Sequence, residues 1–356
     1  MKILALTIYD SLGASSRIRT IQYIPALRNQ NIEVSVSPLL SNYYLETLYA
    51  NQKRKLGDVA KSYFQRLRVL VSCGKYDLIW IEKELFKSFP AFFERLLDFL
   101  NIPYVVVYDD AMFHYYDLSK NYFVRRFMGK KIDVVMRHAA CVIAGNEYLA
   151  ERASTAGAKR IEILPSVVDL NRYKITSQPK NKIFTVGWIG NPETTKYLYL
   201  IQDALTEVCR SGEVRMVGIG CGPLKLTGVP VSFRNWSEEN EVADIGTFDV
   251  GVMPLPDDSW ERGKCGYKLI QYMACGKPVI ASPVGVNTKI VQQGVNGFLA
   301  GNKKEWVKAF DTLRKEPELA IKMGKNGRGL VENEYSVQAT SARLARILTE
   351  SAARFK

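Results

Sequence analysis

Short apolar runs recur along the chain at intervals long enough to hold a helix between them. In the first half they fall at residues 2–9, 32–39, 76–81, 104–108, 141–144 and 161–164. In the second half they fall at 183–189, 214–219, 229–233, 250–253, 279–281 and 297–299. Most are β-branched and continuous rather than alternating, the pattern of parallel strands covered on both faces. Between them, stretches such as Ile21, Ile24 and Leu27, or Phe92, Leu96, Leu97 and Leu100, repeat at helical spacing. Strand and helix alternate in this way twice over, which predicts an α/β protein of two Rossmann-like doubly wound domains facing across a cleft. The first domain is expected over 1–166 and the second over 167–336, joined in a polar stretch with Pro165, Asp169, Asn171 and Pro179. Residues 337–356 carry Ala339, Ala342, Leu344, Ile347 and Leu348 and predict a last helix that caps the second domain or returns to the first.

Length agrees with two domains, since 356 residues exceed what one core usually serves. The composition, 47% apolar and 24% charged, is that of an ordinary globular protein. No uninterrupted apolar stretch is long enough for a spanning helix, and the first run ends at Tyr9-Asp10 without a small-residue cleavage site, as a buried strand would. Six cysteines without Cys-x-x-Cys spacing, and two histidines, offer no zinc site and read as free thiols of a reducing cytosol. The net charge of +13 changes the picture more, because it suits anionic partners. Part of the excess is local: Lys53, Arg54, Lys55, Lys61, Arg66 and Arg68, then Lys120, Arg125, Arg126, Lys130, Lys131 and Arg137, with Tyr63, Phe64, Tyr122, Phe123 and Phe127 interleaved. These segments are either solvated helix faces or a monotopic surface held against anionic lipid. Nucleic acid is the weakest reading and is not expected as a partner.

In open α/β sheets ligands bind beyond the carboxyl ends of the strands, so the residues that follow each run are the candidates. After the first run come Gly13, Ser16, Arg17 and Arg19, a small-residue helix start with cationic charge. It is either an ordinary serine-capped turn or part of an acceptor site. Glu82-Lys83-Glu84 follows the third run, and Glu84 is taken as a wall of that site. Asp109, Asp110 and His114 follow the fourth, where a carboxylate could orient a hydroxyl or form only a turn; Asn146 and Glu147 follow the fifth. In the second half, Gly190-Asn191-Pro192 predicts a capped helix start with close backbone approach. Trp236 follows the ninth run and either stacks on a base or plugs the core. Arg262, Gly263, Lys264, Cys265, Gly266, Tyr267 and Lys268 then form a basic, glycine-bearing loop leading into a helix that stops at Gly276, a diphosphate site in type.

Residues 266–285, Gly-Tyr-Lys-Leu-Ile-Gln-Tyr-Met-Ala-Cys-Gly-Lys-Pro-Val-Ile-Ala-Ser-Pro-Val-Gly, resemble the donor-binding signature of GT-B glycosyltransferases, specifically glycosyltransferase family four. Residues 163–173 are similar to that family's interdomain hinge, and Gly294-Val295-Asn296-Gly297-Phe298-Leu299 to its Gly-x-x-Gly-Phe-Leu turn. The resemblance implies retaining transfer of a sugar from a nucleoside diphosphate sugar, without metal or other cofactor, by front-face attack in which the leaving phosphate takes the acceptor proton. It also implies a Glu-x7-Glu pair in the second domain, but Gly263 and Gln271 stand in those places, with Glu261 two residues away. Trp188 and Thr194 likewise stand where the family carries Arg and Lys. Donor binding then falls to Gly190, Asn191, Trp236, Tyr267 and Gln271, with Arg262, Lys264 and Lys268 neutralising the diphosphate. Lys268, Asp109 and Asp110 are the catalytic candidates. The expected acceptor is a saccharide or a lipid-linked saccharide in cell-surface polysaccharide or glycoconjugate synthesis, met in the cytoplasm or at the inner face of an anionic membrane. Two other readings stay open, a nucleotide-sugar epimerase of the same fold and a catalytically weakened nucleotide-sugar-binding subunit.

Overall fold

The structure, a computed structural model, describes residues 1–49, 56–175 and 182–353. Lys53, Arg54 and Lys55 of the first basic segment lie outside the described residues. The apolar runs become strands in every case: β1 Lys2–Tyr9, β2 Glu33–Leu40, β3 Leu78–Glu82, β4 Tyr104–Tyr108, β5 Cys141–Ala144, β6 Ile161–Ile163, β7 Phe184–Ile189, β8 Val214–Ile219, β9 Val231–Arg234, β10 Val250–Met253, β11 Val279–Ala281 and β12 Gly297–Leu299. The chain divides into two compact units. One holds Met1–Ser166, Gly263–Cys265 and Thr340–Lys356; the other holds Val167–Arg262 and Gly266–Ala339.

In the first unit β1–β6 form a parallel sheet in the order β2-β1-β3-β4-β5-β6. The order reverses between β1 and β3, and that switch point is where a doubly wound sheet opens a crevice at its carboxyl edge. Strand β4 is buried along its whole length, as its unbroken Tyr-Val-Val-Val-Tyr requires. Helix Val337–Ala353 returns here from Thr340 onward. The Thr340 hydroxyl meets Tyr23 OH at 2.8 Å, and Glu350 accepts from Arg160 at 2.7 Å.

The second unit carries a parallel sheet in the order β12-β11-β10-β7-β8-β9, so its switch point lies between β7 and β10. Its strands divide by alternate residues between two apolar layers. Val250, Val252 and Ile280 join Trp306 and Phe310 on one side, while Met253, Val279 and Ala281 join Tyr272 and Phe248 on the other. This two-sided burial explains why the runs do not alternate in sequence. No described helix is long and apolar enough to cross a membrane.

Candidate active site

At the carboxyl edge of the first sheet, Glu82 ends β3 and is buried. One of its oxygens accepts from Ile8 N–H at 3.0 Å and from the Ser16 hydroxyl at 2.6 Å. Burial pushes its carboxyl pKa up. The next residue, Lys83, holds φ at 63°, a left-handed conformation that costs a lysine on the order of 1–2 kcal/mol. From there its ammonium lies 2.9 Å from Asp109 and 3.8 Å from Asp110, the pair that follows β4. Ser15 donates to the other Asp109 oxygen. Burial opposes the Lys83 charge, but Asp109, Asp110 and Glu82 outweigh it and lift the pKa above the usual lysine value. Burial opposes the Asp109 charge as well, but Lys83 and Arg19 outweigh it and hold this carboxyl below its ordinary range. Asp109 is thus an ionised, engaged carboxylate. Asp110 is the more open of the pair, its side chain 34% exposed against 15%.

Gly263–Cys265 belong to this unit too. Asn146 caps helix Glu147–Ala156 through its oxygen and donates its amide to the carbonyls of Gly263 and Lys264, both at 3.0 Å. Cys265 is buried with its thiol directed at the Asp109 carbonyl, 3.2 Å away, and burial drives its pKa up to about 12. The Lys264 ammonium stands 3.9 Å from Asp110. Gly263, Lys264 and Cys265 were expected among donor-binding residues of the second domain; the structure anchors them in the first unit, because Asn146 and Asp109 hold their backbone and thiol.

Several expected acceptor residues are engaged with partners inside the first unit. The Ser16 hydroxyl is fully buried and spent on Glu82, and buried Arg19 donates to the Leu164 carbonyl at 3.0 Å. Glu84 is buried, ion-paired with Lys131 and accepting from Tyr116 OH at 2.8 Å, so it walls no open site. Both ring nitrogens of His114 are engaged, by Asp117 at 2.9 Å and Tyr148 OH at 2.8 Å. Gly13 makes a turn by donating to the Asp10 carbonyl, and half-buried Arg17 donates to the Ser11 carbonyl.

In the second unit, Asn191 follows β7 and caps Pro192–Ile201, accepting from Thr194 N–H at 3.0 Å while its own N–H donates to the Thr194 hydroxyl. The helix that begins there is a 3-10 helix. Gly190 admits no side chain, since a Cβ would lie 2.3 Å from the Trp188 ring. Beyond β10, Arg262 grips Asp257 through two bonds of 2.7 and 3.1 Å. Its fork is therefore directed at a carboxylate neighbour. Gly266 adopts φ 65° and opens helix Tyr267–Ala274 without any side-chain cap. Lys268, in the first turn, lies 5.5 Å over the Trp188 ring.

Gln271, on the same helix, is buried, and its amide donates to Tyr173 OH at 2.9 Å. Tyr173 in turn donates to buried Glu241, which accepts from the Trp236 indole at 2.7 Å and from Arg172 at 2.9 Å. Trp236 is half-buried with its ring fixed by Glu241. Glu261 is buried beneath Tyr197, whose hydroxyl donates to it. A groove of about 580 Å³ runs beside this region, lined by Tyr199, Cys221, Gly222, Leu224, Lys225 and Phe233. All six cysteines are free.

Residues 180–316 match the family model described as Glycosyl transferases group 1. This segment is similar to the group 1 glycosyltransferases. The whole chain is similar in fold to GT-B glycosyltransferases. Sucrose-phosphate synthase from Thermosynechococcus elongatus matches 99% of this chain over 100% of its own, with TM-score 0.72 and 15% identity. Anabaena Alr3699/HepE, solved in complex with UDP-glucose, matches 98% over 100%, with TM-score 0.71 and 19% identity. A glycosyltransferase from Rickettsia africae ESF-5 matches 98% over 98%, with TM-score 0.69 and 12% identity. At such identities the likeness concerns the fold. No curated protein matches the sequence.

Residues that sequence reasoning undervalued are Lys83, Tyr173 and Glu241. A lysine between two glutamates directly after an apolar run was a visible signal. Its partner Asp109 was visible only as a member of another loop.

Proposed function

We propose that this protein is a glycosyltransferase that draws its sugar from a nucleoside diphosphate sugar, a uridine nucleotide being the first to test. It transfers the sugar with retention to a saccharide or lipid-linked saccharide. The observation that carries the donor reading is the start of helix Tyr267–Ala274, inside the matched domain. Gly266 at φ 65° leaves the first backbone N–H groups without a side-chain cap, and Lys268 stands in the first turn. An uncapped helix N-terminus beside an ammonium suits a diphosphate in both dipole and charge. Negative charge grows on the leaving diphosphate as the glycosidic bond breaks, and donors already in place stabilise it without reorganisation. In this reading no metal is required. That HepE was solved with UDP-glucose supports the choice of nucleotide.

On the acceptor side, Asp110 is the carboxylate assigned to orient the attacking hydroxyl, with Lys83 and Asp109 fixing its loop. The work is placed in the cytoplasm, at the inner face of the membrane, in the building of a cell-surface polysaccharide or glycoconjugate. Thermal unfolding with UDP, GDP and ADP tests the donor reading. UDP should raise the transition and Lys268→Ala should abolish most of that rise. Stabilisation by none of the three overturns it. The anomeric configuration of the first product, read by proton NMR, decides retention.

A further inference from the structure

The first unit carries an apolar and cationic face that the chemistry above does not use. Phe92 and Phe99 on helix Phe92–Phe99 and Phe127 on helix Tyr122–Met128 are 60%, 81% and 72% exposed. All three line one groove of about 800 Å³, together with Leu96, Arg95 and Lys130. Behind the groove, half-buried Phe93 and Tyr63 and buried Phe86 link this aromatic patch to the core of the unit. The Phe92 and Phe93 rings lie 5.4 Å apart, Phe93 and Phe89 5.9 Å, and Phe89 and Phe86 6.3 Å, and Phe86 meets Tyr63 of helix Leu56–Val71 at 5.4 Å. Beyond it, exposed Phe64 carries the Arg68 guanidinium 4.8 Å over its ring. Large exposed apolar patches of this kind mark contact surfaces on soluble proteins.

The charges around the patch say what the contact is. Arg68, Arg95, Arg125, Arg126 and Lys130 are exposed around the aromatic residues. The acidic residues nearby are already engaged: Asp98 with Lys159 at 2.9 Å and with His138, and buried Glu94 with the Leu85 N–H. The face is therefore cationic as well as apolar, in a protein of net charge +13. A second copy of the same face would meet like charge. Aromatic side chains beside arginine and lysine match the boundary between acyl chains and anionic headgroups. Two basic residues of the sequence pattern are spent inside the unit: Arg66 is buried, donating to the Thr7 carbonyl at 2.7 Å, and Lys131, at the inner wall of the groove, is ion-paired with buried Glu84.

We infer that this face, centred on Phe92, Phe99 and Phe127, docks the protein on an anionic bilayer, with the groove between these helices receiving lipid. The inference deepens the lipid-linked acceptor reading, but its experiment is separate from donor binding. Flotation with vesicles of phosphatidylcholine, alone or mixed with phosphatidylglycerol, measures it. Wild-type protein should float with the mixed vesicles at low salt and not with phosphatidylcholine alone. The triple variant R95Q/R126Q/K130Q should bind on the order of a hundredfold more weakly, from about fivefold per basic residue near the surface. F92S/F99S/F127S should lose binding even at low salt. Both variants change exposed side chains and should keep wild-type UDP affinity and circular dichroism. Failure of wild type to float at low salt overturns the inference, as does wild-type binding by the phenylalanine variant. A wild-type dimer that the phenylalanine variant dissolves also overturns it, because the face would then belong to a second copy. Absence of UDP binding with flotation intact would instead overturn the donor reading alone.

Discussion

Replacing Lys83 by methionine removes the cation between Asp109 and Asp110 while keeping the volume and the left-handed backbone of the site. The ammonium is 12% exposed and Asp109 15%, so the pair is screened little by water. Breaking a buried pair from one side costs about 3–5 kcal/mol, and the residual exposure here lowers the expectation to about 2–4 kcal/mol. Hydrogen exchange of the β3 and β4 amides, Ile79–Ile81 and Val105–Val107, reports on the first unit directly. Their protection should fall by roughly 30-fold to several hundredfold at neutral pH. The pH dependence gives a second arm. In the wild type, Asp109 has a depressed pKa, so its contribution is present above the unfolded carboxylate value, about 3.9, and is lost as pH falls through the lower folded value. In the variant, burial is left without its main opponent and raises that pKa, so the deficit should shrink as pH drops from about 7 toward 4.5. Adding Asp109→Asn should recover part of the loss at neutral pH. A change within about 0.5 kcal/mol, typical of a surface substitution, would refute the reasoning, as would a double variant no more stable than the single one.

Three other outcomes follow from the same structure. Gly266→Ala places a Cβ 2.4 Å from Ile290 at φ 65°, and should weaken UDP binding at least tenfold in a calorimetric titration while lowering the thermal transition. Tyr173→Phe leaves Gln271 and Glu241 without a shared hydroxyl, costing about 1–3 kcal/mol of stability in urea unfolding. Lys131→Met strands the Glu84 carboxylate in the core and should cost about 3–5 kcal/mol, with Glu84→Gln in the same chain restoring much of it.

The particular residues show why some of the site was legible and some was not. The loop at 263–268 could be read as a basic, glycine-bearing helix start because those properties are local. The Glu82-Lys83 pair and Asp109 could not be read as one cluster, since they lie at the ends of two separate strands, β3 and β4, and meet only at the edge of the folded sheet. The expected acceptor residues Ser16, Glu84 and His114 have partners that the sequence did not reveal, for a related reason. Each has a polar side chain suited to a ligand, but each faces a partner in its own unit.

What the sequence determined by itself was the set of strands. Continuous apolar runs can be satisfied only by strands buried on both faces, and glycine and polar residues mark their ends. Only the tertiary structure decided the strand orders, with their switch points at β1/β3 and β7/β10, and which charges are buried. Arg66 and Arg68 look alike in the sequence, yet one donates to carbonyls in the core and the other lies over an exposed ring. Burial and pairing depend on neighbours brought together from distant segments, and a local pattern carries no record of them.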